Sequence, residues 1–334
     1  MKEEDILAIK KLLETPKKIA IIPHRSPDGD AMGSTLALYH FLLKLNHQPT
    51  VIAPNDFPNF LAWLPASETV LIYENDKPNT TKILNEAELV FTLDFNALHR
   101  TGEMEQVLNK LSAPMIMIDH HQKPDDYATF TYSNPAFGST CEMIYNFISF
   151  LGKKELIDRT IATCIYTGIV TDSGSFRFPS TTSTTHQVVS ELIEKGIENS
   201  EIHTQLFDNN SYNRLQLLGR ALQNMKVIPQ FKTAYIVLTQ KELDEFHYEK
   251  GDTEGIVNYG LTIKGIVFAA IFIEHRDENI IKISFRSQGN FDVNQFARDN
   301  FHGGGHINAA GGKSHLSMTE TIIKFENLIS KIII

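Results

Sequence analysis

Short apolar runs alternate with helical patterns in the first half of the chain. Each run is bounded by polar residues and has the length of a buried strand, whereas the longer segments between the runs return apolar residues at helical spacing. The predicted strands are residues 19–22, 89–93 and 115–118, and the predicted helices include residues 31–45 and 160–170. This alternation is typical of an α/β fold in which helices cover both faces of a parallel sheet.

The second half of the chain predicts a smaller α/β domain. Its predicted strands are residues 234–238, 267–273 and 280–285. A glycine-rich stretch, residues 302–312, interrupts this pattern before a final helix, and we expect a domain boundary within residues 180–215. The assignment is an N-terminal domain of residues 1–190, a helical linker of residues 191–215 and a C-terminal domain of residues 216–334, with a cleft between the two domains.

The length of 334 residues agrees with two domains that each have a core. Hydrophobic residues make up 42% and charged residues 21%, as in soluble globular proteins. The charged N-terminal stretch lacks the apolar run of a signal peptide, and no apolar segment approaches the roughly 20 residues that span a bilayer. We therefore expect a cytoplasmic protein without a membrane partner.

The net charge of −9 argues against a protein that coats long nucleic acid. That mode of binding needs a broad basic face, because each neutralised phosphate requires a cation. A small anionic substrate held by a few cations is compatible with the charge. The two cysteines, Cys141 and Cys164, lie in apolar stretches without zinc-site spacing, so we interpret both as buried, reduced thiols.

The loop after the first predicted strand carries the densest group of chemically capable residues. Asp28 and Asp30 are separated only by Gly29, so a turn can direct both carboxylates at one cation or at two adjacent cations, and His24 adds a nitrogen ligand. Pro27 restricts the loop, and Gly29 permits backbone torsions that other residues resist. Alternatively, Asp28 or Asp30 only caps the following helix, and the loop by itself does not decide between the two interpretations.

Three more acids stand at the ends of predicted elements. Asp94 and Asp119 each follow an apolar strand, and ligands of open parallel sheets bind outside the carboxyl ends of the strands. A single acid in such a place is usually a turn or cap residue, but Asp119 begins the triplet Asp119-His120-His121. A histidine pair alone is more often part of an ordinary surface, and Asp172, at the end of the predicted helix 160–170, is weak evidence by itself.

Together these residues predict a site for two metal ions. The candidate ligands are His24, Asp28, Asp30, Asp94, His120 and Asp172, with Asp119 and His121 close behind. A set rich in carboxylate oxygen, with some imidazole and no thiolate, suits manganese or magnesium better than zinc or copper. Two cations about 3.5 to 4 Å apart account for the surplus of acids, and they promote in-line attack of water on a phosphate without a covalent enzyme intermediate.

The same segments resemble, in the same order, the four metal-binding motifs of the DHH phosphoesterases, a family named for the triplet at residues 119–121. The resemblance implies that His24 and Asp28 bind one manganese ion and that Asp30 and His120 bind the other. It further implies that Asp94 and Asp172 bridge or serve both ions.

The resemblance also implies the roles of the two other members of the triplet. Asp119 would orient His120 from behind, as metal-binding histidines usually require. His121 would face the scissile phosphate and stabilise its charge or the leaving oxygen. Asp119 and His121 are therefore the catalytic candidates.

The C-terminal half resembles the DHH-associated substrate-binding domain, through residues 301–306 and 309–312. Three successive glycines let backbone N–H groups approach an anion, although a tight turn between strand and helix is the alternative. The strand at residues 280–287 alternates with period two, so Lys282, Ser284 and Arg286 share one face, which is either a phosphate contact or a solvated surface. The substrate-binding candidates are Arg286, Gly304, Gly305 and His306.

The soluble two-domain form resembles the NrnA-type branch of the family. That resemblance implies a manganese-dependent hydrolase, an oligoribonuclease-like 3'-5' exonuclease that degrades very short RNA (nanoRNA) to mononucleotides and dephosphorylates 3'-phosphoadenosine 5'-phosphate (pAp) to AMP. The alternative is a phosphodiesterase for cyclic or linear dinucleotides of the c-di-AMP type. A non-catalytic nucleotide sensor is disfavoured because every motif position holds a competent residue, and a homodimer is expected by analogy only.

Overall fold

The computed structural model describes residues 1–276 and 278–331, which form two compact units. The first unit ends at Asn209 and the second begins at Asn210. This division lies inside residues 191–215, although the limits of the predicted linker stay a prediction. No helix in the described ranges is long and apolar enough to cross a membrane.

The first unit is built on a six-stranded sheet in which every neighbouring pair is parallel. Its strands are β1 (Lys18–Ile22), β2 (Gln48–Ala53), β3 (Leu71–Ile72), β4 (Leu89–Leu93), β5 (Met115–Asp119) and β6 (Phe130–Ser133). Their order across the sheet is β3-β2-β1-β4-β5-β6. The order in which successive strands are added to the sheet therefore reverses between β1 and β4. Open α/β sheets bind ligands in the crevice outside the carboxyl ends of the two strands at such a reversal.

Helices cover both faces of this sheet, as the α/β pattern predicted. They are α1 (Glu3–Leu12), α2 (Gly29–Lys44), α3 (Lys77–Glu86), α4 (Glu105–Leu108), α5 (Thr140–Phe150), α6 (Arg159–Asp172), α7 (Ser183–Glu194) and α8 (Asn199–His203). Along β1, Ile19 and Ile21 join a core with α2, α5 and α6, whereas Ala20 and Ile22 join a second core with α3 and α4. Because both faces of the sheet are buried against apolar helices, successive residues of a strand are all apolar, which explains the continuous apolar runs in the sequence.

The second unit contains a mixed sheet. Its strands are β7 (Lys226–Ile228), β8 (Thr233–Leu238), β9 (Phe268–His275), β10 (Ile280–Ser287), β11 (Gly304–His306) and β12 (Ala309–Ser314). Their order is β11-β12-β10-β9-β8-β7, and among these described strands only β8 and β9 pair in parallel. The helices are α9 (Tyr212–Gln223), α10 (Gln240–Glu245), α11 (Asn258–Leu261), α12 (Val293–Asn300) and α13 (Met318–Ile329).

Alternate residues of β9 separate the two faces of this second sheet. Phe268 and Phe272 pack into the core that contains α12 and α13, and Ala269 and Ile271 pack into the core that contains α9 and α10. The second α/β domain is thus confirmed.

The glycine-rich stretch differs from the prediction, because it continues the sheet. Residues 304–306 and 309–314 form the antiparallel pair β11 and β12, and β12 also pairs with β10. Glycine is rare in strands, so its presence concealed this hairpin in the sequence. A Cβ on Gly305 would lie 2.4 Å from the carbonyl oxygen of Ala309, so the close approach of the two strands requires glycine there.

Candidate metal centre

The loop after β1 positions His24 and Asp28. Asp28 is the N-cap of α2: its Oδ1 accepts hydrogen bonds from the amides of Asp30 and Ala31, both at 3.1 Å. Its Oδ2 lies 3.9 Å from His24 Nε2. One oxygen of Asp28 therefore caps the helix while the other faces His24, and the role of Asp28 as a metal ligand stays a prediction.

The tautomer of His24 follows from its second nitrogen. Nδ1 lies 2.8 Å from the carbonyl oxygen of Arg25, which can only accept, so Nδ1 carries the hydrogen in the neutral ring. The lone pair of Nε2 then points at the carboxylates, as a metal-binding imidazole requires.

Gly29 acts through its size and not through unusual torsions. It lies in the first turn of α2, and a Cβ there would lie 2.5 Å from the Oγ1 atom of Thr171 on α6. The absence of a side chain lets α2 approach the C-terminal end of α6, which carries Asp172. The explanation of Gly29 by backbone freedom was wrong for this reason.

Asp30 is fully buried against the N-terminus of α5. Its Oδ2 accepts from the amide of Thr140 at 2.6 Å, and its Oδ1 accepts from the amide of Cys141 at 2.9 Å. The first amides of a helix have no partner within the helix and favour negative charge. This contact was not predicted, although Ser139 followed by Glu142 is readable as a helix start.

Asp94 lies between two groups of side chains at the end of β4. Its Oδ2 is 3.5 Å from His24 Nε2, its Oδ1 is 3.4 Å from His120 Nε2, and Oδ1 also accepts the hydroxyl of Thr140 at 2.8 Å. The backbone of Asp94 is left-handed, with φ of 65°, which is uncommon outside glycine. Strained backbone conformations of this kind occur mainly at functional sites, where the surrounding contacts stabilise them.

His120 faces the second group of carboxylates. Its Nε2 lies 3.2 Å from Asp172 Oδ2 and 3.8 Å from Asp30 Oδ2, and its Nδ1 lies 3.2 Å from the carbonyl oxygen of Phe137. Asp172 is the last residue of α6. Helix α6 thus delivers one acid, and the β5 end delivers the histidine.

We expected Asp119 to orient His120, but its carboxylate contacts His121 instead. Its Oδ1 lies 2.7 Å from His121 Nδ1, and its Oδ2 accepts the amide of His121 at 3.0 Å. The reason is geometric: Asp119 is the last residue of β5, and the turn that follows carries the backbone and ring of His121 back towards its carboxylate. Both oxygens of Asp119 are engaged by the same residue, so it fixes the orientation of that imidazole.

The carboxylates oppose one another electrostatically. Burial raises the pKa of Asp30 well above its usual value, and the charges of Asp94 and Asp172 raise it further. Burial also raises the pKa of Asp172 to about 6 and that of Asp119 to about 7. Asp94 differs, because hydrogen bonds with His120 and His24 outweigh burial and hold its pKa well below the usual range.

The pKa values of the two histidines of the triplet are shifted in opposite directions. Burial lowers the pKa of His120, but hydrogen bonds to Asp172 and Asp94 outweigh it and raise the pKa well above the usual value. Burial lowers the pKa of His121 to about 3, with the charge of His120 acting in the same direction. The imidazole of His121 is therefore neutral near pH 7.

Three sets of residues bring ligand atoms within 4.8 Å of one another around the first sheet: His24, Asp28 and Asp94; Asp30, His120 and Asp172; and Asp94, Asp119 and His121. The first two sets could each hold an ion, and Asp94 belongs to one and contacts the other. The mutual repulsion of buried carboxylates gives divalent cations a favourable place, since they supply the missing positive charge.

The candidates in the second unit occupy β10 and the hairpin. Residues 280, 282, 284 and 286 are half-exposed while their neighbours are buried, so Lys282, Ser284 and Arg286 do share a face. Lys282 pairs with Glu278 at 2.7 Å. The amide of Gly305 donates to Oδ1 of Asn294, on α12, at 2.9 Å. This amide therefore links the hairpin to α12 and is not part of an open anion nest.

The chain matches the sequence models of two known domains. The sequence model of the DHH family N-terminal domain matches residues 18–169, and that of the DHHA1 domain matches residues 230–333. A protein of Thermus thermophilus named bifunctional oligoribonuclease and PAP phosphatase NrnA is 31% identical over 92% of this chain and 86% of its own length. The Bacillus subtilis protein of the same name is 29% identical over 87% of this chain and 88% of its own length.

A solved structure is similar over almost the whole chain. The crystal structure of an exopolyphosphatase-related protein from Bacteroides fragilis is 41% identical, covers 99% of this chain and 96% of its own, and superposes with a TM-score of 0.94. These relatives match this chain across both of its domains, in the same order.

Proposed function

Because the chain belongs to the DHH family of phosphoesterases, we propose that it hydrolyses very short oligoribonucleotides to mononucleotides and dephosphorylates pAp to AMP. The observation that carries the proposal is the shared position of Asp94 between two ligand sets at the carboxyl edge of the first sheet. The relatives named for these two activities span nearly the same length as this chain.

Two divalent cations fit the donor set. His24, Asp28 and Asp94 would hold one ion, and Asp30, His120 and Asp172 would hold the other, with Asp94 shared. Oxygen-rich sets with imidazole favour manganese, with magnesium as the second choice. When bound, such ions lower the pKa of water and offset the charge on phosphoryl oxygens.

His121, held by Asp119, would act on the leaving oxygen. Asp119 holds Nδ1 of the imidazole, which directs Nε2 away from the carboxylate. The ring is neutral in the absence of substrate, and an approaching phosphate would raise its pKa, so that Nε2–H can donate to the leaving oxygen. Asp119 would stabilise the charged ring without itself contacting the substrate.

The second unit would recognise the rest of a short substrate. Arg286, on the half-exposed face of β10, offers a planar fork for a terminal phosphate. Gly304, Gly305 and His306 form the edge strand β11, which β12 separates from β10. A few cations suffice for two to five nucleotides, which agrees with a net charge of −9.

A ranking of hydrolysis rates tests the proposal. The purified protein, stripped with chelator and reloaded with manganese, magnesium or zinc, is assayed against dinucleotides, five-mers, pAp, cyclic di-AMP and pyrophosphate. We expect dinucleotides, five-mers and pAp to be hydrolysed fastest, with manganese the best metal. Preference for cyclic di-AMP or pyrophosphate would overturn the substrate assignment, and activity that survives chelation would overturn the metal assignment.

A further inference from the structure

Asn96 is a buried polar residue that belongs to none of the ligand sets. It lies two residues beyond Asp94, after the end of β4, and only 8% of its surface is exposed. Its Nδ2 donates to the carbonyl oxygen of Gln122 at 2.6 Å and lies 3.5 Å from that of Lys123, and its own carbonyl oxygen accepts the amide of Asp125 at 2.8 Å. Both neighbours of Nδ2 are carbonyl oxygens, which can only accept, so this end of the side chain is the amide nitrogen.

These contacts fix the loop that follows the triplet at residues 119–121. Residues 123–126 are exposed, so the loop has little apolar packing of its own. Lys123 has a left-handed backbone, with φ of 58°, which is uncommon outside glycine and persists where surrounding contacts stabilise it. A second contact lies at the far end of the loop, where the hydroxyl oxygens of Tyr127 and of Thr92, a residue of β4, are 2.8 Å apart. The end of β4 therefore holds the loop that follows β5.

His121 lies between two fixed groups of the backbone. Asp119 accepts its amide at 3.0 Å and contacts its Nδ1 at 2.7 Å, and Asn96 holds the carbonyl of the next residue, Gln122. The contact at the amide restrains the chain before the Cα atom of His121, whereas the torsions after that atom depend on where the loop is held. Because misplacement of a catalytic group by about 1 Å can lower a rate about 100-fold, the second restraint matters for a ring that must face a leaving oxygen.

We propose that Asn96 is a positioning residue for His121: it holds the loop behind the triplet so that the imidazole faces the leaving oxygen of the substrate. The proposal rests on the phosphoesterase function proposed above and on the role of His121 in it. In this role Asn96 neither contacts the substrate nor binds a metal ion. It acts on the backbone after His121, while Asp119 acts on the ring and on the backbone before it.

The test compares two substrates that differ in their leaving groups, with the metal-loaded full chain. A dinucleotide releases a nucleoside alkoxide, which needs a proton, whereas bis-p-nitrophenyl phosphate releases p-nitrophenolate, which leaves without one. Leucine keeps the number and connectivity of the heavy atoms of asparagine but has no hydrogen-bond donor. We therefore expect Asn96→Leu to lower kcat on the dinucleotide about 10- to 100-fold and kcat on the aryl ester by less than about threefold. KM and bound metal should stay within about twofold of the wild type.

Asn224→Leu is the matched control. Asn224 lies in the second unit, where its Nδ2 donates to the carbonyl oxygen of Val237 at 2.9 Å and to Glu242 at 2.8 Å. The substitution removes a comparable amide contact, so it should lower the free energy of unfolding and leave the ratio of the two kcat values unchanged. An equal change of that ratio in Asn96→Leu and Asn224→Leu would overturn the proposal.

A double-mutant cycle decides whether Asn96 acts through His121. In the background His121→Ala, Asn96→Leu should lower kcat on the dinucleotide by less than about twofold, because the group that it positions is already gone. A full additional loss in that background would overturn the proposal, as would loss of bound metal from Asn96→Leu in a folded protein or an equal fall in kcat on both substrates. Asn96→Ala, which removes the donor without adding apolar atoms, replaces Asn96→Leu in every assay if the leucine variant does not fold.

A measurement without turnover separates this proposal from the proposed function. If the chain hydrolyses none of the nucleotides, the proposed function fails, but the nuclear magnetic resonances of the His121 ring in the metal-free protein still report its position. Asn96→Leu should shift these resonances, and Asn224→Leu should leave them unchanged. Resonances that Asn96→Leu does not move would overturn the positioning role.

Discussion

The hydroxyl of Thr140 donates a hydrogen bond to Asp94 Oδ1 at 2.8 Å, while the amide of the same residue donates to Asp30. One residue at the start of α5 thus orients the central carboxylate and a carboxylate of the second ligand set. Partners behind metal ligands commonly influence affinity as much as the ligands' own geometry does.

Thr140→Val should therefore weaken metal binding while leaving the fold intact. Valine keeps the amide contact to Asp30 and removes the hydroxyl, so we expect a loss of about 10-fold in metal affinity. Calorimetric titration of the chelated protein with manganese measures it. Thr140→Ser should restore the affinity, and Thr163→Val, at an exposed hydroxyl on α6, is the control. Unchanged affinity in Thr140→Val would refute the orienting role.

Asp94→Ala should abolish metal-dependent hydrolysis. The substitution removes a carboxylate that contacts both His24 and His120, so we expect a fall of at least about 10³-fold in kcat/KM. The circular dichroism spectrum should stay native, because Asp94 is not part of the apolar core. Near-normal turnover in a folded variant would sink the assignment of two metals sharing Asp94.

Asp119→Asn should lower kcat and leave metal content unchanged. The amide keeps the shape of the side chain but loses the charge that holds His121 Nδ1, so we expect a fall of about 10²- to 10⁴-fold in kcat. Metal analysis by mass spectrometry separates this effect from a loss of ligand. If metal is lost in proportion to activity, Asp119 serves as a ligand and not as the partner of His121.

Much of this centre was predictable because its residues follow local patterns. Asp94 and Asp119 end apolar strands, and periodicity locates such ends. The contact of Thr140 with Asp30 joins residues 110 positions apart, which no local pattern encodes. The choice of His121 over His120 as partner of Asp119 depends on how the chain turns after β5, and two adjacent histidines give no sign of it.

The hairpin of β11 and β12 was missed because of its glycines. Gly304 and Gly305 lack strand propensity, yet the close approach of β11 to β12 demands glycine, so propensity pointed to a loop.

Arg286→Ala should raise KM selectively. We expect about a tenfold increase for oligonucleotides with a terminal phosphate, and little change for bis-p-nitrophenyl phosphate, since that ester has no second phosphate. Lys282→Ala is the control, because Lys282 shares the face but pairs with Glu278. Equal effects of Arg286→Ala on both substrates would count against an end-phosphate contact.

His47 predicts a pH dependence of stability that is separate from the metal centre. It is buried near the opposite end of β1, and its Nδ1 accepts the amide of Lys17 at 3.2 Å. Burial, and then the charge of Lys17, lower its pKa in the folded protein. The unfolded chain, with a histidine pKa of about 6.5, therefore binds the proton more readily than the folded chain.

Acid should therefore destabilise the folded protein through His47. The contribution of the neutral imidazole to the free energy of unfolding is complete above about pH 6.5, the pKa in the unfolded chain. It is lost as the pH falls towards the lower pKa of His47 in the folded protein. The asparagine side chain of the variant His47→Asn can still accept from the amide of Lys17 but cannot titrate. Urea unfolding at pH 7.5 and pH 5.5 should show that acid destabilises the wild type more than His47→Asn, with contributions of the metal centre common to both. An equal loss in the two proteins would show that His47 does not take up the proton on unfolding.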